Sequence, residues 1–302
     1  MPKRIGFIIN PTAAAGRCPG RWAELLAELR RDGVTDKALF TAGPGDAVLF
    51  AQELARECDV VVAVGGDGTI FEVASGLLLS GATHAQLGVV PLGTGNDAAR
   101  QFGLGDPAQA RRALRGTRTI SVDAIRIGCQ AQGTTISRHA LLFAGVGILS
   151  EVLDKTTPLV KRLFRRSLAY PVGALRALVK CHAPRMRVTC DGQTWTKEFL
   201  LVCASNTEFS GGGMRLAPDA RMNDGLLDVN VCEALGRVTA AALLWKVWRG
   251  HHRSHPKLRY FTARSLAVEA NPPITVAADG EVIGHTPAQF DVVPQALKIL
   301  VP

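Results

Sequence analysis

Apolar residues along the first 120 positions alternate between two textures. Short, nearly unbroken apolar runs at 4–10, 37–41, 59–64 and 86–90 have the length of strands, and between them 21–31, 46–57 and 69–79 carry apolar residues at helical spacing. The run Val60-Val61-Val62-Ala63-Val64 has no polar alternation, which predicts a strand buried on both faces and therefore a parallel sheet flanked by helices. Ligands on such sheets bind at the carboxyl ends of the strands, where Asn10, Thr41, Gly65 and Pro91 fall. After Asp123, which is expected to end a strand at a domain junction, the pattern changes. Runs at 136–144, 185–190, 194–204, 226–232, 265–269, 274–278 and 296–301 read as strands separated by turns, with one helical interval at 158–179. The second domain is expected to be mainly β, a sandwich or open barrel. The expected division is 1–124 for the α/β domain, completed by residues from about 290 to 302, and 125–289 for the β-domain.

Composition agrees with two domains, because 302 residues with 47% hydrophobic content exceed the usual size of one core. No apolar run approaches the ~20 residues that span a bilayer; the longest candidates, 140–149 and 238–244, have core-element length. The N-terminal apolar stretch stops at Asn10-Pro11, too soon for a signal-peptide core, so a cytoplasmic location is expected, with any membrane contact peripheral. Seven cysteines (Cys18, Cys58, Cys129, Cys181, Cys190, Cys203, Cys232), odd in number and without a C-x-x-C pair, fit a reduced compartment and argue against zinc. The formal charge of +9 is concentrated: 155–187 holds nine Lys or Arg and no acid, and 234–268 holds seven and no acid. Such blocks attract phosphate-bearing surfaces such as anionic lipid or nucleic acid, or else form a solvated face. Residues 158–179 interleave apolar and basic positions in a pattern that suits a helix packed on the β-domain or one lying on anionic lipid.

Chemistry concentrates in two turns. Gly65-Gly66-Asp67-Gly68-Thr69 follows a buried strand and precedes a helix; adjacent glycines let backbone approach a phosphate, and a helix N-terminus offers unpaired N–H groups to an anion. The alternative is a tight turn in which Asp67 or Thr69 is only an N-cap. Pro91-Leu92-Gly93-Thr94-Gly95-Asn96-Asp97 occupies the next strand end, so the two turns are expected to meet at one pocket. Neither matches the dinucleotide G-x-G-x-x-G or the P-loop. Late in the chain, Asp279-Gly280 between two strand-like runs is a type I′ hairpin signal, with Glu281 next to it.

Together GGDGT, PLGTGND and Asp279-Gly280-Glu281 resemble the diacylglycerol kinase catalytic-domain family, which includes bacterial lipid kinases and the sphingosine and ceramide kinases. The resemblance spans essentially the whole chain. It implies an α/β nucleotide-binding domain of the phosphofructokinase and NAD-kinase kind, then a β-sandwich domain whose last strands return to the first. It also implies a lipid kinase that transfers the γ-phosphate of ATP to a lipid hydroxyl, diacylglycerol by default, with Mg²⁺. By matching motif, Asn10, Pro11, Thr41, Gly65, Gly66, Asp67, Gly68, Thr69 and Thr94 would contact ATP. Asp67, Asp97 and Asp123 would form a Mg²⁺-linked network and Glu281 would be the general base, the parts that phosphoryl transfer requires. The loop 218–228 resembles the family's structural Mg²⁺ loop, with the Asp224 carboxylate and the carbonyls of Arg221 and Leu226 as ligands. The expected partners are ATP and a lipid substrate at a membrane surface, and no nucleic acid; a homodimer is compatible with the sequence.

The chain departs from the family at three places. Phe71 stands where Asn is usual, the loop 10–16 is longer than N-P-x-x-G, and the Gly145-Val146-Gly147 segment lacks the Asp-Ala that often follows. A soluble-substrate kinase of NAD-kinase type shares GGDG but is not expected to carry PLGTGND or the late DGE. A non-catalytic nucleotide-binding regulator has Phe71 as its support.

Overall fold

A computed structural model of the chain describes residues 3–16, 18–31, 36–93, 96–155, 183–209 and 214–302. The interval 158–179, Cys181 and Thr94 lie outside the described residues. The chain divides into two compact units, Met1–Val122 with Gln295–Pro302, and Asp123–Pro294.

The first unit is built on strands β1 (Ile5–Ile9), β2 (Asp36–Phe40), β3 (Val60–Gly65) and β4 (Gln86–Pro91). They pair in parallel in the order β2-β1-β3-β4, and the end of the last strand, β14 (Glu281–Leu300), joins β4 in parallel at Ile299 and Leu87. Every residue of β1 and β3 is buried, as their unbroken apolar runs demand. The helices are α1 (Ala13–Gly16), α2 (Cys18–Arg31), α3 (Asp46–Glu57), α4 (Asp67–Ser80), α5 (Asp97–Gln101) and α6 (Pro107–Arg115). Gly76 allows α4 to lie against α3: a Cβ there would sit 2.4 Å from the Val48 carbonyl oxygen. Strand order reverses between β1 and β3, so the ends of these strands at Asn10 and Gly65 flank the crevice where open parallel sheets take ligands.

The second unit holds most of β5 (Thr119–Ala131), β6 (Thr134–Ala140), β7 (Phe143–Gly147), α7 (Ile148–Lys155), β8 (Arg185–Cys190), β9 (Gln193–Ser205), β10 (Leu227–Glu233), α8 (Arg237–Trp248), β11 (Leu258–Ala263), β12 (Ser265–Ala270), β13 (Thr275–Ala278) and most of β14. Of the two expected forms, sandwich or open barrel, the strand pairing is that of a mainly antiparallel barrel. Pairing runs β9-β7-β13-β14-β12-β8 and returns to β9, because two long strands, β9 and β14, each change partner along their length. The 13-residue β9 pairs with β8 through its first half and with β7 through its second. The 20-residue β14 pairs with β13 up to His285 and with β12 from Ala288. Between them stands Pro287, which has no N–H to give to a ladder. Ile125, Met186, Val202, Leu266, Val276 and Phe290 are among the buried residues that fill the interior.

Six described cysteines are buried thiols, and burial pushes Cys190, Cys203 and Cys232 up to about 12, which makes them poor nucleophiles and ligands. His252 is fully buried, with Nε2 3.1 Å from the Leu216 carbonyl oxygen and Nδ1 without a partner among the described residues. Burial depresses its pKa below 6.5. The stability it confers is therefore present above pH ~6.5 and lost as pH falls through the depressed folded value. Melting curves from pH 8 to 5 are expected to show a falling midpoint whose slope is smaller in His252→Gln; an equal slope in the variant would assign the acid sensitivity to other groups.

Candidate functional site

In the first unit the two glycine turns meet. The Gly93 N–H donates to the Gly65 carbonyl at 2.7 Å, and a Cβ on Gly93 would lie 2.3 Å from the Gly66 Cα. A Cβ on Gly65 would lie 2.6 Å from Thr69 Oγ1. Backbone therefore occupies the ground between the two strand ends, and a side chain at Gly65 or Gly93 would fill it. Gly66 stands at the N-cap of α4 without a side-chain cap, so the first-turn N–H groups of a 14-residue helix open toward this turn.

Polar side chains tie the turns together. Asn10, at the end of β1, donates from Nδ2 to Thr69 Oγ1 at 3.2 Å, while its Oδ1 accepts from the N–H and hydroxyl of Thr12 at 3.0 and 2.8 Å. Thr41, at the end of β2, donates its N–H to the Ile9 carbonyl at 2.9 Å, so Asn10, Thr41 and Gly65 to Thr69 all gather at the carboxyl edge of the sheet. Asp67 Oδ1 accepts from the Ala98 N–H at 3.0 Å, and so caps α5 as well as opening α4. Asn96 adopts the left-handed conformation (φ 57°) and donates from Nδ2 to the Pro91 carbonyl at 3.1 Å. Its Oδ1 is buried and has no partner among the described residues. Such an orphaned acceptor is the kind of group a ligand or water satisfies. Pro11 is half-buried in the first loop, and Thr94 and the side chain of Asp97 lie outside the described residues.

Asp123 belongs to the second unit and stands inside β5 rather than at a strand end. It is fully buried: Oδ2 accepts from the Gly225 N–H at 2.7 Å, its own N–H donates to the Met222 carbonyl at 2.6 Å, and its carbonyl accepts from Asn206 Nδ2 at 2.8 Å. The carboxylate thus holds the loop containing Arg221, Asp224 and Leu226. Within that loop Asp224 Oδ1 accepts from the Leu226 N–H at 3.1 Å. Among the described residues no three His, Cys, Asp or Glu side chains cluster as a metal site.

The Asp279-Gly280 turn has the left-handed φ values, 47° and 90°, that a type I′ hairpin requires, and Ala278 pairs with Glu281 across it. Glu281 is exposed at the start of β14. Sequence reading treats Asp279 only as a turn residue, but its carboxylate accepts three backbone N–H groups, from Leu141, Leu142 and Phe143 at 2.7, 2.9 and 3.0 Å. Burial pushes its pKa up to about 6; the three donors oppose that shift, and the Glu281 charge adds to it. Asp279→Asn replaces one acceptor oxygen with a donor, leaving an N–H of 141–143 unpaired, a loss of about 1–3 kcal/mol. Thermal unfolding is expected to shift down by roughly 2–4 °C per kcal/mol. An unchanged midpoint would show that the clasp contributes nothing to the fold.

Residues 4–127 match the family described as the diacylglycerol kinase catalytic domain, and residues 146–301 match the YegS C-terminal NAD kinase beta sandwich-like domain. A diacylglycerol kinase of Staphylococcus haemolyticus strain JCSC1435 is 29% identical over all of this chain and 89% of its own length. One of Staphylococcus carnosus strain TM300 is 28% identical over all of this chain and 96% of its own. Among solved structures, a diacylglycerol kinase of Bacillus anthracis strain Sterne superposes with a TM-score of 0.73 at 23% identity, covering 99% of this chain and 97% of that one. Yeast NADH kinase complexed with NADH shares the fold more distantly, with a TM-score of 0.54 at 11% identity over 99% of this chain and 83% of that one. With both family matches in the order and at the places that the two glycine turns and the late hairpin occupy, this chain belongs to the diacylglycerol kinase catalytic-domain family of lipid kinases.

Proposed function

We propose that this lipid kinase transfers the γ-phosphate of ATP to the hydroxyl of diacylglycerol at a membrane surface on the cytoplasmic side. The observation that carries the reading is the backbone contact of the two glycine turns beside the uncapped N-terminus of α4, a cradle without room for side chains. Phosphate suits such a cradle, because N–H groups and the helix dipole stabilise its charge and backbone alone lets it approach. In this reading the first unit binds the nucleotide through Asn10, Pro11, Thr41, Gly65, Gly66, Asp67, Gly68, Thr69 and Thr94, and the second unit receives the lipid. The carboxylates of Asp67, Asp97 and Asp123 are hard oxygen donors of the kind Mg²⁺ takes, and the ion offsets charge on the transferring phosphate when bound. Glu281 accepts the proton of the attacking hydroxyl. Asp224, with the carbonyls of Arg221 and Leu226, would hold a second, structural Mg²⁺. No helix among the described residues is long and apolar enough to cross a membrane.

The test is transfer of label from γ-labelled ATP to a mixed-lipid extract in detergent micelles, run beside water-soluble acceptors that include NAD. Labelled phosphatidate is the expected product. Label on a soluble acceptor alone would favour a soluble-substrate kinase, and ATP binding with no transfer would favour a regulator.

A further inference from the structure

The helix α8 (Arg237–Trp248) has apolar residues on every side, a composition that ordinarily marks a helix buried all round. Yet it lies at the surface of the second unit, and none of its residues belongs to the barrel core. Ala240 and Leu243 are its buried residues. On the opposite side, at spacings of four and three, Val238, Ala242 and Trp245 form one exposed stripe, with Val238 85% and Trp245 63% accessible. The guanidinium carbon of Arg249 stands 4.8 Å from the centroid of the Trp245 ring. Arg237, Lys246 and Arg249 are all exposed, and the whole stretch 234–268 contains no acid.

We infer that this face of α8 docks on an anionic lipid bilayer, with Val238, Ala242 and Trp245 entering the interface and Arg237, Lys246 and Arg249 meeting the headgroups. An exposed apolar stripe edged by basic side chains, with a Trp at its centre, has the chemistry of a helix lying in the plane of a membrane. The uniform positive charge selects a negatively charged surface over a neutral or basic one, and the exposed apolar stripe centred on Trp245 favours a bilayer among negative surfaces. The inference rests on the lipid-kinase reading for its purpose but on α8 alone for its geometry.

The experiment is co-sedimentation of the full chain, without ATP, with vesicles of phosphatidylcholine alone or with 30 mol% phosphatidylglycerol. The variants are Trp245→Glu, Val238→Glu and the charge pair Lys246→Glu with Arg249→Glu. Wild type is expected to bind anionic vesicles at least tenfold more tightly than neutral ones, and each variant to lose at least tenfold of that binding. Raising salt from 0.1 to 0.5 M should weaken wild-type binding. Melting curves identify any variant that misfolds, and Trp245→Ala, a milder change, then takes its place. Activity on lipid dispersed in detergent micelles is measured in parallel: a variant that loses vesicles but keeps micellar activity supports the docking role. A wild type that binds vesicles through α8 but phosphorylates no lipid would overturn the kinase reading and leave the docking surface standing. Equal vesicle binding by wild type and the variants overturns the inference, as does a wild-type dimer that these variants dissociate while leaving vesicle binding intact.

Discussion

Asp67→Ala is expected to lower lipid-kinase turnover by at least two to three orders of magnitude, and to lower thermal stability at the same time. The two effects have separate origins in one carboxylate. As the first residue of α4 in the glycine turn, Asp67 is proposed to serve the metal-bound phosphate, and each hundredfold of turnover lost corresponds to about 2.7 kcal/mol of barrier. As the acceptor of the Ala98 N–H at 3.0 Å it also caps α5, a contact worth about 1 kcal/mol. Asp67→Asn separates them, because the amide oxygen can still cap α5 while the charge is gone. The expected result is a melting point close to wild type in Asn, lower in Ala, and turnover collapsed in both. If Asp67→Asn retained more than a tenth of wild-type turnover, only ~1.4 kcal/mol of barrier, Asp67 would be a cap and the metal ligand would lie elsewhere.

How far the chain could be read in advance depends on whether an element's signal is local. The parallel sheet of the first unit is legible because β1 and β3 are buried on both faces, and nothing but an unbroken apolar run satisfies that environment. The hairpin at 279–280 is legible because two consecutive positive φ values almost require Asp-Gly or Asn-Gly. The clasp made by the same Asp279 is not, since its three donors come from residues 136–138 positions earlier in the chain. Asp123 likewise interrupts an apolar run and so mimics a strand end, although β5 continues to Ala131; its partner at Gly225 is 102 residues away. Gly284, Pro287 and Pro294 conceal the length of β14 by looking like breaks, and with it they conceal the closure of the barrel. The helix α8 is hidden for the opposite reason. An all-apolar segment has no period to read, so 238–244 resembles a core element, and only its exposure shows that one side faces outward.

Glu281→Gln is expected to leave the fold and ATP affinity nearly unchanged while lowering turnover by about two or more orders of magnitude, the usual consequence of removing a general base. The substitution keeps the size and hydrogen-bonding reach of the side chain and removes its basicity. Its backbone frame is rigid: Glu281 pairs with Ala278 across a two-residue turn, and the turn is pinned by the Asp279 carboxylate on Leu141, Leu142 and Phe143 and by the Asp279 N–H on the Phe143 carbonyl at 3.0 Å. A carboxylate on such a frame pays little ordering entropy to reach a fixed position, which a base for an attacking hydroxyl requires. The frame also supplies an internal comparison. Asp279→Asn loosens the clasp without touching the Glu281 carboxylate, so its turnover should fall less than that of Glu281→Gln, and its melting point should fall more. The measurements are steady-state phosphorylation of micellar lipid, nucleotide binding by calorimetry, and thermal unfolding of each variant. Turnover near wild type in Glu281→Gln would reduce Glu281 to an exposed hairpin residue and move the search for the base to Asp67, Asp97 and Asp123.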